Sequence, residues 1–162
     1  MADKTYRVAL FTVETWQEFL DAGANVTGFR ERRWNTIQQM SVGDVLLCYL
    51  TGVSRFITAL EMVSQPFKES IPIWKHDVFP CRVCVEVLVR LTPETAIPVI
   101  QLKDYISIFE NFGTSSGWSI YFRSSPTRWK YEDGEAVVSA LIDAKNNPIV
   151  RPLRPAKRTK QY

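Results

Sequence analysis

Between Val45 and Leu91 the chain admits little except sheet. Val45–Leu50 is an apolar, β-rich run, Thr51-Gly52-Val53-Ser54 has a hairpin-turn composition, and Arg55–Ser64 returns. Phe79–Leu91 then alternates. Val83, Val85, Val87 and Val89 fall on one face, and Arg82, Cys84, Glu86, Leu88 and Arg90 on the other. A period of two marks a strand with one covered face. Gln65–Pro72 holds two prolines and reads as an irregular link between strands.

The rest fits around these strands. Tyr6–Val13 reads as a buried strand, followed by a short helix, Trp16–Ala22, with Trp16, Phe19 and Leu20 on one face and Gly23 as its stop. Asn25–Arg33 is polar and reads as a loop, Asn35–Met40 as a short helix, and Ser41–Asp44 as a turn. Leu102–Phe109 predicts a short helix, Asn111–Gly117 a surface loop, and Trp118–Arg123 a last short strand. Asp133–Ala144 predicts a helix with Ala136, Val137, Ala140, Leu141 and Ala144 as its apolar stripe and Asp133 as its N-cap. Ile149–Tyr162 is Pro- and Lys/Arg-rich without a core pattern, a tail or linker. The expected organisation is one α+β domain over residues 1–148 and a basic tail over 149–162. A hydrophobic fraction of 46% is ample for such a core.

Charge and cysteine content narrow the function classes. The net charge of +3 is only mildly basic, and part of the excess lies in the last dozen residues, so any basic patch must be local. Three cysteines, an odd number, argue against a disulfide framework and suit a reducing interior. The N-terminus lacks a signal-peptide pattern and no apolar run is long enough for a bilayer, so the expectation is a cytoplasmic protein with no membrane partner.

Enzyme signatures are absent: no GxGxxG after a strand, no phosphate-binding loop and no serine in a nucleophile-elbow context. The lone His76 reads as a solvated loop residue. Cys81 and Cys84 have CxxC spacing, but on a strand they point to opposite faces, so they read as packing residues. Asp77, Glu132, Asp133 and Glu135 show no metal or nuclease spacing. The expectation is no catalysis, no metal and no cofactor.

What remains is aromatic and cationic. Arg30, Arg32 and Arg33 flank Phe29 and Trp34, and Trp74 sits in the Pro-rich loop between strands. Arginines attract phosphate, and exposed rings stack on bases. The same segment also fits a solvated loop with one or two rings tucked into the core.

Ordered motifs along the chain resemble the EVE domain, a relative of PUA and YTH domains. They are Leu10-Phe11-Thr12-Val13-Glu14-Thr15-Trp16, Gly28–Ile37, Gly43–Tyr49, Ser64-Gln65-Pro66-Phe67, Ile73-Trp74 and Phe122-Arg123-Ser124-Ser125-Pro126. The resemblance spans roughly Tyr6 to Pro148. It implies a PUA-like pseudobarrel, a curved mixed β-sheet flanked by short helices. It also implies a non-catalytic reader that holds a modified base of DNA or RNA in an aromatic pocket, such as 5-methylcytosine or 6-methyladenine. DNA is favoured, with base flipping in a duplex. The domain would serve as the specificity module of a modification-dependent restriction system, with a fused or associated nuclease.

Residue by residue, Trp74 matches a pocket tryptophan of the YTH relatives. Near Thr27-Gly28, where many EVE proteins carry the second, this chain has threonine, so Phe29 or Trp34 would supply the missing face. Thr12 falls where relatives contact the base edge, and Trp118 is a further candidate ring. Arg123 matches a phosphate contact, and Arg32, Arg33, Arg128 and Lys130 complete the expected backbone set. Two other classes stay open: an enzyme of RNA or base metabolism on the same fold, and a protein-interaction module.

Overall fold

The computed structural model describes residues 4–110 and 116–153. The β-rich runs pair into one mixed sheet. β1 (Tyr6–Phe11) lies parallel to β3 (Val45–Leu50), and β3 runs antiparallel to β4 (Arg55–Met62). β4 pairs β6 (Cys81–Arg90), which pairs β2 (Val26–Phe29), while β8 (Thr127–Trp129) closes the other edge on β1. The order is β2-β6-β4-β3-β1-β8, with β5 (Phe67–Lys68) on β6 and β7 (Ile97–Pro98) on β4. Register shifts at Cys48/Tyr49 and Ala59/Leu60 add local bend. The sheet curls into a half-barrel with a few short helices, the expected α+β pseudobarrel.

The core fills the curl. β1 and β3 are buried along their whole length, as expected of strands covered on both faces. α1 (Val13–Asp21) begins at a capping box, with Thr12 and Thr15 exchanging backbone and side-chain hydrogen bonds, and buries Trp16 and Phe19. α3 (Tyr131–Asn146) buries Val137 and Leu141 and crosses β1 closely. A Cβ at Gly134 would lie 2.1 Å from the Tyr6 ring, so only glycine fits that crossing.

Several local expectations are corrected. Asn25–Arg33 is not a loop but β2 followed by a 3-10 turn, Glu31–Arg33, because β6 offers its edge to Val26–Phe29. Trp118–Arg123 is not a strand. Ser116–Phe122 is a 3-10 segment, and the last strand is β8. Leu102–Phe109 is two 3-10 turns, Val99–Leu102 and Ser107–Phe109. Asp133 is not an N-cap. Lys130 holds that place, and Asp133 accepts from Ser107 N at 2.8 Å and Ser107 Oγ at 2.5 Å. Val87 is 38% exposed beside the β4–β6 irregularity, which interrupts the alternation. Most of Asn111–Gly117 and of the tail lies outside the described residues. The tail's first residues are docked: Arg55 Nη1 donates to the Arg151 carbonyl at 2.8 Å and to that of Pro93 at 2.9 Å.

Candidate nucleic-acid interface

Two adjoining hollows gather most of the residues of interest. The first is aromatic. Trp74 and Phe79 from the loop before β6, Phe29 at the end of β2, and Leu10 and Phe11 of β1 line it with Thr15, Gly28, Arg30 and Ser125. Trp74 and Phe79 meet edge to face, centroids 5.3 Å apart at 90°. The Trp74 indole Nε1 donates to the Thr15 carbonyl at 3.2 Å, which ties the loop to α1. Trp74 is only 5% exposed, and the free space amounts to about 10 Å³, room for about one water. A flat base enters only if the loop moves.

The loop is held from inside by Arg82, which is 1% exposed. Its Nη2 donates to the carbonyls of Ile71 at 2.5 Å and Val78 at 3.1 Å, and its Nε to that of Phe79 at 3.3 Å. Glu69 lies 3.9 Å away, and the guanidinium sits 5.7 Å from the Trp74 ring centre. Phe79 itself has φ of +46°, a conformation that bulky residues rarely adopt. Gly28 packs beneath: a Cβ there would stand 2.4 Å from the Phe79 carbonyl oxygen and 3.2 Å from Trp74. From the outside, Arg30 Nη1 bonds Asp77 at 2.7 Å and its guanidinium lies 5.4 Å from the Phe79 ring centre.

The second hollow is basic. Arg30, Arg32, Arg33, Ser124 and Ser125 line a cleft of about 270 Å³, and among the described residues no acidic one does. It shares Arg30 and Ser125 with the aromatic hollow. Arg33 Nη2 donates to the Pro126 carbonyl at 2.8 Å, while its Nε is buried without a partner. Arg7 on β1, directly opposite Arg128 on β8, is 5% exposed, and its Nε is likewise unpartnered. Burial lowers the Arg7 pKa from its ordinary value. Asp44 opposes the shift, and Arg128 and Arg33 add to it.

Of the expected ring residues, the structure brings Trp74 and Phe29 together in the aromatic hollow. Thr12 does not line it; it caps α1, and its partner Thr15 does. Trp34 opens α2 (Trp34–Ile37), packs half-buried on the core, and carries Lys68 Nζ 5.0 Å above its ring. Trp118 belongs to another ring cluster, 5.3 Å from Phe109 and 6.0 Å from Phe122. Thr27 is buried in β2 opposite Val83. Of the expected phosphate contacts, Arg32 and Arg33 line the cleft, and Arg123, Arg128 and Lys130 are exposed on the segment leading into α3.

Sequence reasoning did not single out Phe79, Arg82, Arg7 or the pocket role of Arg30. Phe79 shares the Trp74 loop, the one signal that could have marked it. Arg82 sits on the outward face of an alternating strand, where nothing in the pattern foretells a buried charge, whereas Arg7 lies inside a run read as a buried strand. His76 is exposed, with its Nε2 3.5 Å from a Glu14 carboxylate oxygen. Cys48, Cys81 and Cys84 are free thiols. Among the described residues no group of three or more His, Cys, Asp or Glu is arranged to hold a metal ion, and no helix is long and apolar enough to cross a membrane.

No protein-family model and no curated protein matches the sequence. Solved structures do match in fold. The Pho92 YTH domain in complex with m6A aligns with a TM-score of 0.64 at 12% identity, over 93% of this chain and 90% of that one. The Mmi1 YTH domain complex with RNA gives 0.62 at 12%, over 91% and 84%. Protein Atu2648 from Agrobacterium tumefaciens gives 0.58 at 15%, over 91% and 99%. The chain therefore has a YTH-like fold.

Proposed function

We propose that this chain is a non-catalytic, EVE-type reader of a modified base in nucleic acid. The observation that carries the reading is the junction of the two hollows: an aromatic one, walled by Trp74, Phe79 and Phe29, opens beside a cleft lined by three arginines and, among the described residues, no acid. A base stacked on one ring gains about 1–3 kcal/mol, and a buried methyl adds about 0.8 kcal/mol. The arginines hold the backbone. Solved neighbours of the same fold carry RNA or m6A, which supports a nucleic-acid ligand. The EVE resemblance instead favours DNA, a flipped base and a partner nuclease. In a duplex the base must first leave the stack, at a cost of a few kcal/mol.

The test is a binding screen of single- and double-stranded oligonucleotides, plain or carrying one 5-methylcytosine or 6-methyladenine. The modified base is expected to bind more tightly in both contexts, single strands more tightly than duplexes, and the oligonucleotide to be recovered unchanged. Trp74→Leu should weaken binding at least tenfold, about one stacked face. Leucine is preferred to alanine because Trp74 is buried, and truncating a buried tryptophan to alanine costs about 3–5 kcal/mol of stability. Equal affinity for plain and modified bases across the screen means a general nucleic-acid binder, and the reader assignment falls.

A further inference from the structure

We infer that the basic cleft lined by Arg30, Arg32 and Arg33 is a discrete phosphate site, to which Arg7 and Arg128, paired across β1 and β8, add positive charge. Arg7 is covered to 95%, its Nε is buried without a partner, and its side chain makes no hydrogen bond or ion pair among the described residues. A buried charge without a partner is among the costliest arrangements a core can hold. Its cross-strand neighbour repeats its sign: Arg7 and Arg128 stand directly opposite in the β1–β8 register. Like charges so placed repel. Arg33, on the cleft wall, adds a third guanidinium whose Nε is also buried and unpartnered.

The nearby acid does not resolve this. Asp44 lies beyond ion-pair distance of Arg7, and its two carboxylate oxygens accept from Thr5 N and Ser41 N, each at 2.9 Å. The cleft offers donors. Guanidinium groups can only donate, and Ser125 Oγ already accepts from Leu10 N at 3.0 Å, which leaves its proton to give. Guanidinium groups gathered here, with the Nε atoms of Arg7 and Arg33 unpartnered, suit an anion with several oxygens, and phosphate meets forked guanidinium groups well.

Two sources share this chemistry: free phosphate, and the phosphate of a nucleotide. Because the cleft and the aromatic hollow share Arg30 and Ser125, we assign it to the nucleotide whose base enters the hollow. That assignment rests on the reader proposal; the phosphate site itself does not.

The experiment is thermal melting of the full chain in inorganic phosphate against sodium chloride at matched ionic strength. Phosphate should raise Tm with the logarithm of its concentration above Kd, by about 4 °C at ten times Kd. Arg7→Met should abolish that rise and, without phosphate, melt within about 3 °C of the parent. No rise in the parent, or an undiminished rise in Arg7→Met, overturns the site. Should Arg7→Met not fold, Arg33→Gln and Arg128→Gln decide. Each should weaken phosphate binding at least threefold, and no weakening in either overturns it. A modified-base preference without any phosphate response leaves the reader proposal standing and removes this one; a phosphate response without base preference does the reverse. A 5′-monophosphate should bind at least tenfold more tightly than its nucleoside, and equal binding breaks the link to the hollow.

Discussion

Arg82 and Arg7 are both guanidinium groups drawn out of water, and burial lowers the pKa of each from its ordinary value. Their surroundings are opposite. Arg82 is met by three carbonyl oxygens and, more distantly, by Glu69. Arg7 has no hydrogen-bond partner among the described residues and faces two further arginines. The first charge holds a loop in place. The second stands opposite Arg128 with no oxygen partner for its Nε among the described residues. Burial alone therefore does not say whether a charge serves the fold; the partner count does.

The largest expected effect separates the two directly. Arg82→Met strips the Ile71, Val78 and Phe79 carbonyls of their donor and should cost about 3 kcal/mol or more. Arg7→Met should change stability by less than about 1 kcal/mol, since it removes repulsion as well as packing. Urea midpoints compare them, and equal losses would break the distinction. Salt comes next. With Arg32, Arg33 and Arg123 each neutralising a phosphate, log affinity on duplex DNA should fall with log salt at a slope of about −2.7. That is about fortyfold between 50 and 200 mM, with Arg33→Gln flattening the slope by about 0.9. A flat response would favour a protein partner. The smallest change sharpens the loop side. Gly28→Ala drives a methyl group against the Phe79 carbonyl and should cost about 1–3 kcal/mol in thermal unfolding. A neutral result would mean that the loop is not pinned where Arg82 holds it.

The periodic parts of the fold were legible in the sequence. The β3–β4 hairpin and the α3 stripe announce themselves because pairing and packing follow repeats of two and of three to four. β2 was not legible. Its four residues, Val26 to Phe29, sit in a largely polar stretch and become a strand only because β6 supplies a partner edge. Trp118–Arg123 misleads in the other direction, since no strand pairs with it among the described residues. In the site, Trp74 and the arginine run stood out by composition, whereas Phe79 became visible only through its contact with Trp74. Arg82 was hidden because the alternating pattern places a side chain on a face without saying what covers that face.

Arg30 belongs to both hollows and is bound to Asp77 of the Trp74 loop. A ligand oxygen that draws its guanidinium into the cleft also loosens its grip on that loop, and so shifts the balance between a shut and an open aromatic hollow. Such coupling is reciprocal. Whatever factor an occupied cleft adds to the affinity of the hollow, an occupied hollow must return to the cleft. A strand that brings base and phosphate together would then be held more tightly than the sum of its parts, and either part alone would be a poor guide to the affinity of the whole.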